Sequence, residues 1–139
     1  MFDLNTLDSV AAADTGAPLT LRHPVTNAPL EDSQKQPVTI LLAGDDAARV
    51  REARAAIANR RMSRPKGQPV TFEEIDDDAL ETLVAATIGW SGLGLGEGQP
   101  LPFTIDTARA IYKRFPWIRE QAEAFVSERK NFLKPSRAS

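Results

Sequence analysis

Five groups of residues have the types and spacing from which chemistry is built, and each can be held against what its chemistry requires. His23 stands in a turn beside Pro24, with no cysteine and no second histidine in the chain, so it lacks a companion for a metal site and reads as structural. Ser91 has glycines near it, but Gly89-Trp90-Ser91-Gly92-Leu93 is not the G-x-S-x-G elbow that exposes a hydrolase's hydroxyl. Gly92, Gly94, Gly96 and Gly98 suggest a backbone cradle for phosphates. A dinucleotide fingerprint, however, follows a strand and opens a helix, whereas this run follows a helical pattern and precedes a proline turn. No lysine stands where a P-loop needs one.

The acids Glu73, Glu74, Asp76, Asp77 and Asp78 carry the hard oxygens that magnesium or calcium prefers. They lack the loop spacing and glycine of an EF-hand, and a helix N-terminus already accounts for them through its dipole. Arg49, Arg51, Arg54, Arg60, Arg61, Arg64 and Lys66 form a basic face, and clustered guanidiniums can grip phosphates. No aromatics are interleaved for base stacking, and the acidic start of the next segment can neutralise the face. A nucleic-acid site on Arg49–Lys66 therefore stays as an alternative, with nucleic acid not the expected partner. The chain is expected not to be an enzyme and to need no metal and no cofactor.

The elements that would position such groups belong to a chain of 139 residues, one domain's length and enough to bury a core without disulfides. Nineteen acids against seventeen bases leave no global field toward nucleic acid or an anionic membrane. The lack of cysteine fits a reducing compartment. Asp3 and Asp8 stand where a secretory signal would be basic and then apolar, and no stretch is long enough to span a bilayer. A soluble, cytoplasmic protein with no membrane partner is expected.

Residues 1–16 read as a flexible arm or a short helix. Leu19 and Leu21 alternate with polar neighbours, and Val38-Thr39-Ile40-Leu41-Leu42 is apolar and β-branched, so 17–44 predicts an antiparallel hairpin with a long, proline-bearing connection. A helix should follow from Ala47 to Met62, capped by Asp45 or Asp46. Thr71-Phe72-Glu73-Glu74 is a capping box that opens a second helix, whose face of Ile75, Ala79, Leu80, Leu83, Val84, Thr87 and Ile88 is the broadest apolar one and should end at Gly89. A glycine-rich loop from Ile88 to Phe103 then leads to a third helix, capped by Thr104, with Ile105, Ala108, Ile111, Tyr112 and Phe115 on one face. Pro116 makes a corner into a fourth, Trp117 to about Asn131. Residues 134–139 look disordered. The fold class is thus α+β, mostly α: a small N-terminal antiparallel β-hairpin, about four helices over 45–133, and the glycine loop between the second and third.

The order of features in the C-terminal half carries a resemblance. Leu83 to Ile88 followed by Gly89-Trp90, a glycine-containing loop, Pro102-Phe103, then Pro116-Trp117-Ile118 and Asn131-Phe132 is similar to the tail assembly chaperones of tailed bacteriophages and prophages. The resemblance implies a noncatalytic protein of the host cytoplasm, missing from the mature virion. It would bind the tape measure protein and keep that long helical chain soluble while the tail tube forms. It leaves room for contact with the tail tube protein and for a homo-oligomer, and a structural tail or head-to-tail component is a further alternative. Binding a helical client calls for an apolar groove with a few aromatic anchors. The candidates are Trp90, Leu93, Leu95, Phe103 and Trp117, each of which has burial in its own core as the competing role.

Overall fold

The alternation at Leu19 and the β-branched run before Gly44 do produce strands. In the computed structural model, which describes residues 1–96 and 98–133, β1 (Ala17–Thr20) pairs antiparallel with β2 (Thr39–Leu42), Ala17 opposite Leu42 and Thr20 opposite Thr39. The expected disordered tail, 134–139, lies outside the described residues, as does Glu97 of the glycine loop. Between the strands the chain makes two small turns, with Asn27 and Lys35 at φ +61°. The turns are tied together by backbone bonds from Leu30 to the Leu21 carbonyl and from Val38 to the Leu30 carbonyl.

A third strand corrects the two-stranded hairpin. The second long helix ends at Ala86 rather than Gly89, and Thr87–Ser91, expected at the helix end and in the loop, is β3, paired antiparallel with β2. The sheet order β1-β2-β3 puts β2 in the middle. Thr87, Ile88 and Trp90 are the β-branched and aromatic types that fit a pleated surface, and the free edge of β2 satisfies backbone groups that a loop would leave to water. A register irregularity beside Leu41 sets Gly89 opposite Leu41 and Thr87 opposite Leu42, which leaves Ile88 as the extra residue of a bulge. Gly92, at φ +87°, then turns the chain off the sheet; a Cβ there would stand 3.3 Å from Val38.

The described residues contain five α-helices: α1 (Ser9–Thr15), α2 (Ala48–Met62), α3 (Phe72–Ala86), α4 (Ile105–Arg114) and α5 (Pro116–Ser127). Short 3-10 turns stand at Leu4–Leu7 and Arg129–Asn131, so the last helix stops four residues before Asn131. Ala13 of α1 is buried, which ties this part of the N-terminal segment to the body. Neither Asp45 nor Asp46 caps α2. Asp14 of α1 does so from across space, accepting from the Ala48 N–H at 2.7 Å. Asp45 and Asp46 are drawn away to Arg54 and Arg129. The capping box at Thr71 and Glu74 forms as the sequence predicts, Thr104 caps α4, and Pro116 occupies the first turn of α5.

The core lies between the sheet and the helices. Ile40 and Leu42 of β2, Val50 of α2, Leu80, Leu83 and Val84 of α3, Ile111 and Tyr112 of α4, and Ile118, Ala122 and Val126 of α5 are all buried. Each large aliphatic side chain among them contributes roughly 1.5–3 kcal/mol by leaving water. Two predicted faces extend past this core. Ile75 and Ala79 of α3 and Ile105 of α4, expected inside, are exposed, because the helical period continues beyond the last packing partner. Charged and polar clasps finish the assembly. Arg109 meets Glu81 with two bonds of 2.6 and 2.7 Å, joining α4 to α3. The Gln121 amide exchanges two 2.8 Å bonds with the Arg22 backbone, joining α5 to the turn after β1.

Candidate partner-binding site

Of the five residues singled out as anchors, the structure gathers three. Trp90 stands opposite Ile40 across the β2–β3 ladder, and Ile40 is fully buried, so the indole lies on the core side of the sheet. Its Nε1–H donates to the Leu101 carbonyl at 2.8 Å, and its ring meets Phe103 edge to face with centroids 5.0 Å apart. Leu101 in turn donates its N–H to the Leu93 carbonyl at 2.8 Å. Trp90, Leu93 and Phe103 therefore form one half-buried assembly that folds the glycine segment back toward the sheet. An indole N–H that finds a carbonyl, and rings at this distance and angle, are what a buried tryptophan needs to be stable.

Leu95 differs from these three. It is 47 % exposed, in the part of the segment that carries no ladder bonds. Beside it Leu93, Gly94, Gly96 and Pro100 line an open cleft whose other wall is the Asp32–Gln34 turn. Trp117 belongs to another corner, half-buried and edge to face with Phe115 at 6.5 Å. Anchoring by all five residues in one groove is therefore not what the fold arranges: the glycine segment offers Leu95, while Trp90 and Phe103 shape the base from which it projects.

The chain matches no family model, no curated protein and no solved structure. The ground for a functional reading is thus the geometry together with the order of residues in the sequence.

The other groups with chemical potential fall into place through their neighbours. His23 Nδ1 accepts from the Val25 and Thr26 N–H groups at 3.1 and 3.2 Å, which closes its turn. Ser91 ends β3, exposed and at the turn begun by Gly92. Three of the seven basic residues of the Arg49–Lys66 face meet the acidic start of α3: Arg60 and Arg61 reach Asp78, and Arg61 and Arg64 reach Glu74. Arg64 holds the Glu74 carboxyl down to about 2, and Arg129 with Ser9 does the same for Asp46. Arg49 and Arg51 form no ion pair among the described residues. Among the described residues, too, no helix is long and apolar enough to cross a membrane.

Sequence reasoning missed a surface. Phe72 and Ile75, 78 % and 56 % exposed, stand with Ala79 on the outer half of α3, beside Pro116 at the start of α5. The pattern in the sequence was legible as apolar, but periodicity alone does not tell a face that meets a neighbouring helix from one that outruns it.

Proposed function

We propose that this protein is a noncatalytic tail assembly chaperone that binds a tape measure protein in the host cytoplasm and keeps it soluble during tail tube assembly. The observation that carries the reading is the ordered series Gly89-Trp90, Pro102-Phe103, Pro116-Trp117-Ile118 and Asn131-Phe132 in the sequence. The geometry supports it by giving each pair a defined task. Trp90 and Phe103 brace the glycine segment, Pro116 sets the corner between α4 and α5, and Phe132 packs edge to face on Phe125 at 5.5 Å. An exposed leucine projecting from a braced loop is suited to an apolar helical client.

Co-expression with a candidate tape measure protein is the direct test. The wild-type chain should raise the soluble fraction of the client and co-purify with it. Leu95→Glu should lower co-purification about tenfold with an unchanged melt, since Leu95 is exposed. Trp90→Ala should lose stability as well, because it empties a half-buried, hydrogen-bonded site. An insoluble client in the presence of folded wild-type protein would overturn the reading. The alternative of a nucleic-acid site on Arg49–Lys66 is weakened by the pairing of four of its arginines with acids of the same chain.

A further inference from the structure

The outer half of α3 and the start of α5 enclose an open groove of about 350 Å³. Its apolar part is Phe72, Ile75, Ala79 and Pro116. The three residues of α3 fall at i, i+3 and i+7, one stripe on one helix face, and that stripe continues the buried face of Leu80 and Leu83 beyond the end of the core. Two large side chains stand open in adjacent turns here, whereas Leu80, Leu83 and Val84 further along α3 are buried.

Charge surrounds the stripe on both sides. Asp76 of α3 and Glu120 and Glu123 of α5 line the groove. The one cation lining it, Arg119, is already held by Asp76 at 3.0 Å and by Glu123 at 3.5 Å. The surface is therefore apolar along its floor and net negative at its edges, with Glu120 outside the Arg119 pairs.

We infer that this groove docks an amphipathic helix of a partner protein whose apolar anchors, spaced i, i+3 or i+4 and i+7, are flanked by lysines or arginines. Anchors at that spacing match the stripe of Phe72, Ile75 and Ala79, and basic flanks match the acidic edges. Two segments of a second copy fit less well. The exposed Met1–Leu7 segment carries Asp3, and Asp8 comes directly after it, so acids would meet acids. The basic helix α2 exposes Ala48, Ala55, Ala56 and Ala58, and Met62 is the one large apolar side chain among its exposed residues, too little to fill the floor. Docking here stands on Phe72, Ile75 and Ala79, which the chaperone reading does not use.

The test titrates the full-length, isotope-labelled protein with two designed helical peptides, identical in their leucines at i, i+3, i+4 and i+7, one with lysines around them and one with glutamates. The lysine peptide should bind, shift the amides of Phe72, Ile75, Ala79 and Glu120, and weaken as salt rises. Phe72→Ser and Ile75→Ser should each weaken it about tenfold, and Glu120→Lys should weaken it too. All three positions are exposed, and an unchanged thermal melt verifies the fold of each variant. Equal binding of the two peptides, shifts centred on residues 92–100, or affinity unaffected by the substitutions would overturn the inference. So would self-association of the free protein that Phe72→Ser abolishes, which would give the groove to a second copy. Failure of the tape measure co-expression with success here would reject the chaperone reading alone.

Discussion

At residue scale, Thr87 and Tyr112 form the polar contact in the middle of the core. Thr87 is 2 % exposed, and its hydroxyl donates to the Leu83 carbonyl at 2.8 Å, so its oxygen accepts from the Tyr112 hydroxyl, also at 2.8 Å. The pair joins the end of α3, the start of β3 and the last turn of α4. Burial pushes the Tyr112 phenol up to about 12, with the Thr87 bond pulling the other way. A folded-state value above the ordinary one means that the folded protein keeps a proton the unfolded chain releases. Stability from this source is therefore full below about pH 10 and declines as pH rises toward 12, on the order of 2 kcal/mol in all. Tyr112 is the only tyrosine, so phenolate absorbance reports it directly. Its ionisation should come late and together with loss of helical signal, and Tyr112→Phe should remove this alkaline loss while costing about 1 kcal/mol at neutral pH through the missing bond. A phenol that titrated near its ordinary value in the folded protein would contradict the geometry.

At the scale of elements, α1, α3 and α4 are capped by side chains near in sequence, α5 opens on Pro116 without a side-chain cap, and α2 takes its cap from far along the chain. Its first turn has Ala47 at the cap position and depends on Asp14, thirty-four residues away, for a partner to the Ala48 N–H. Asp14→Ala should cost about 1 kcal/mol, as loss of a good cap does, and amide exchange should quicken at the start of α2. Asp45→Ala should leave those amides unaffected. This element also marks a limit of sequence reading. The capping box at Thr71, the Thr104 cap and the corner at Pro116 were legible because each depends on residues a few positions apart. The cap of α2 was not, because two aspartates stood in the expected place and only the fold decides that they turn to Arg54 and Arg129. β3 was hidden for a related reason: Gly89 is a natural helix stop, yet Thr87, Ile88 and Trp90 favour a strand once β2 supplies an edge. The exposure of Leu95 and of Phe72 could not be read at all, since it depends on where neighbouring elements end.

At the scale of the whole molecule, ion pairs connect parts that the core alone does not fasten. Glu74 joins α3 to the end of α2 through Arg61 and Arg64, Glu81 joins α3 to α4 through Arg109, and Asp46 joins the entrance of α2 to the turn after α5 through Arg129. Hydrogen bonds from the arginines hold all three carboxyls below the usual range, Glu74 and Asp46 to about 2. For a carboxyl lowered in the folded state, the stabilisation is present above the unfolded value and is lost as pH falls through the folded one. The window therefore runs from about pH 4.5 down to about pH 2. Water and salt reach these pairs, which keeps each contribution small, but they fail over the same interval and on several joints together. The melting temperature should hold steady from neutral pH to about 5 and then fall through that window. Glu74→Gln should flatten part of the fall, because the variant has no proton to gain there, and added salt should lower stability at neutral pH while making the acid slope shallower. A melting temperature that stayed level between about pH 4.5 and 2 would show that the hydrophobic core holds these elements in place without the pairs. In that case the acidic edges of the Phe72–Ile75 groove would be the better place to look for an effect of pH on this molecule, through partner binding rather than folding.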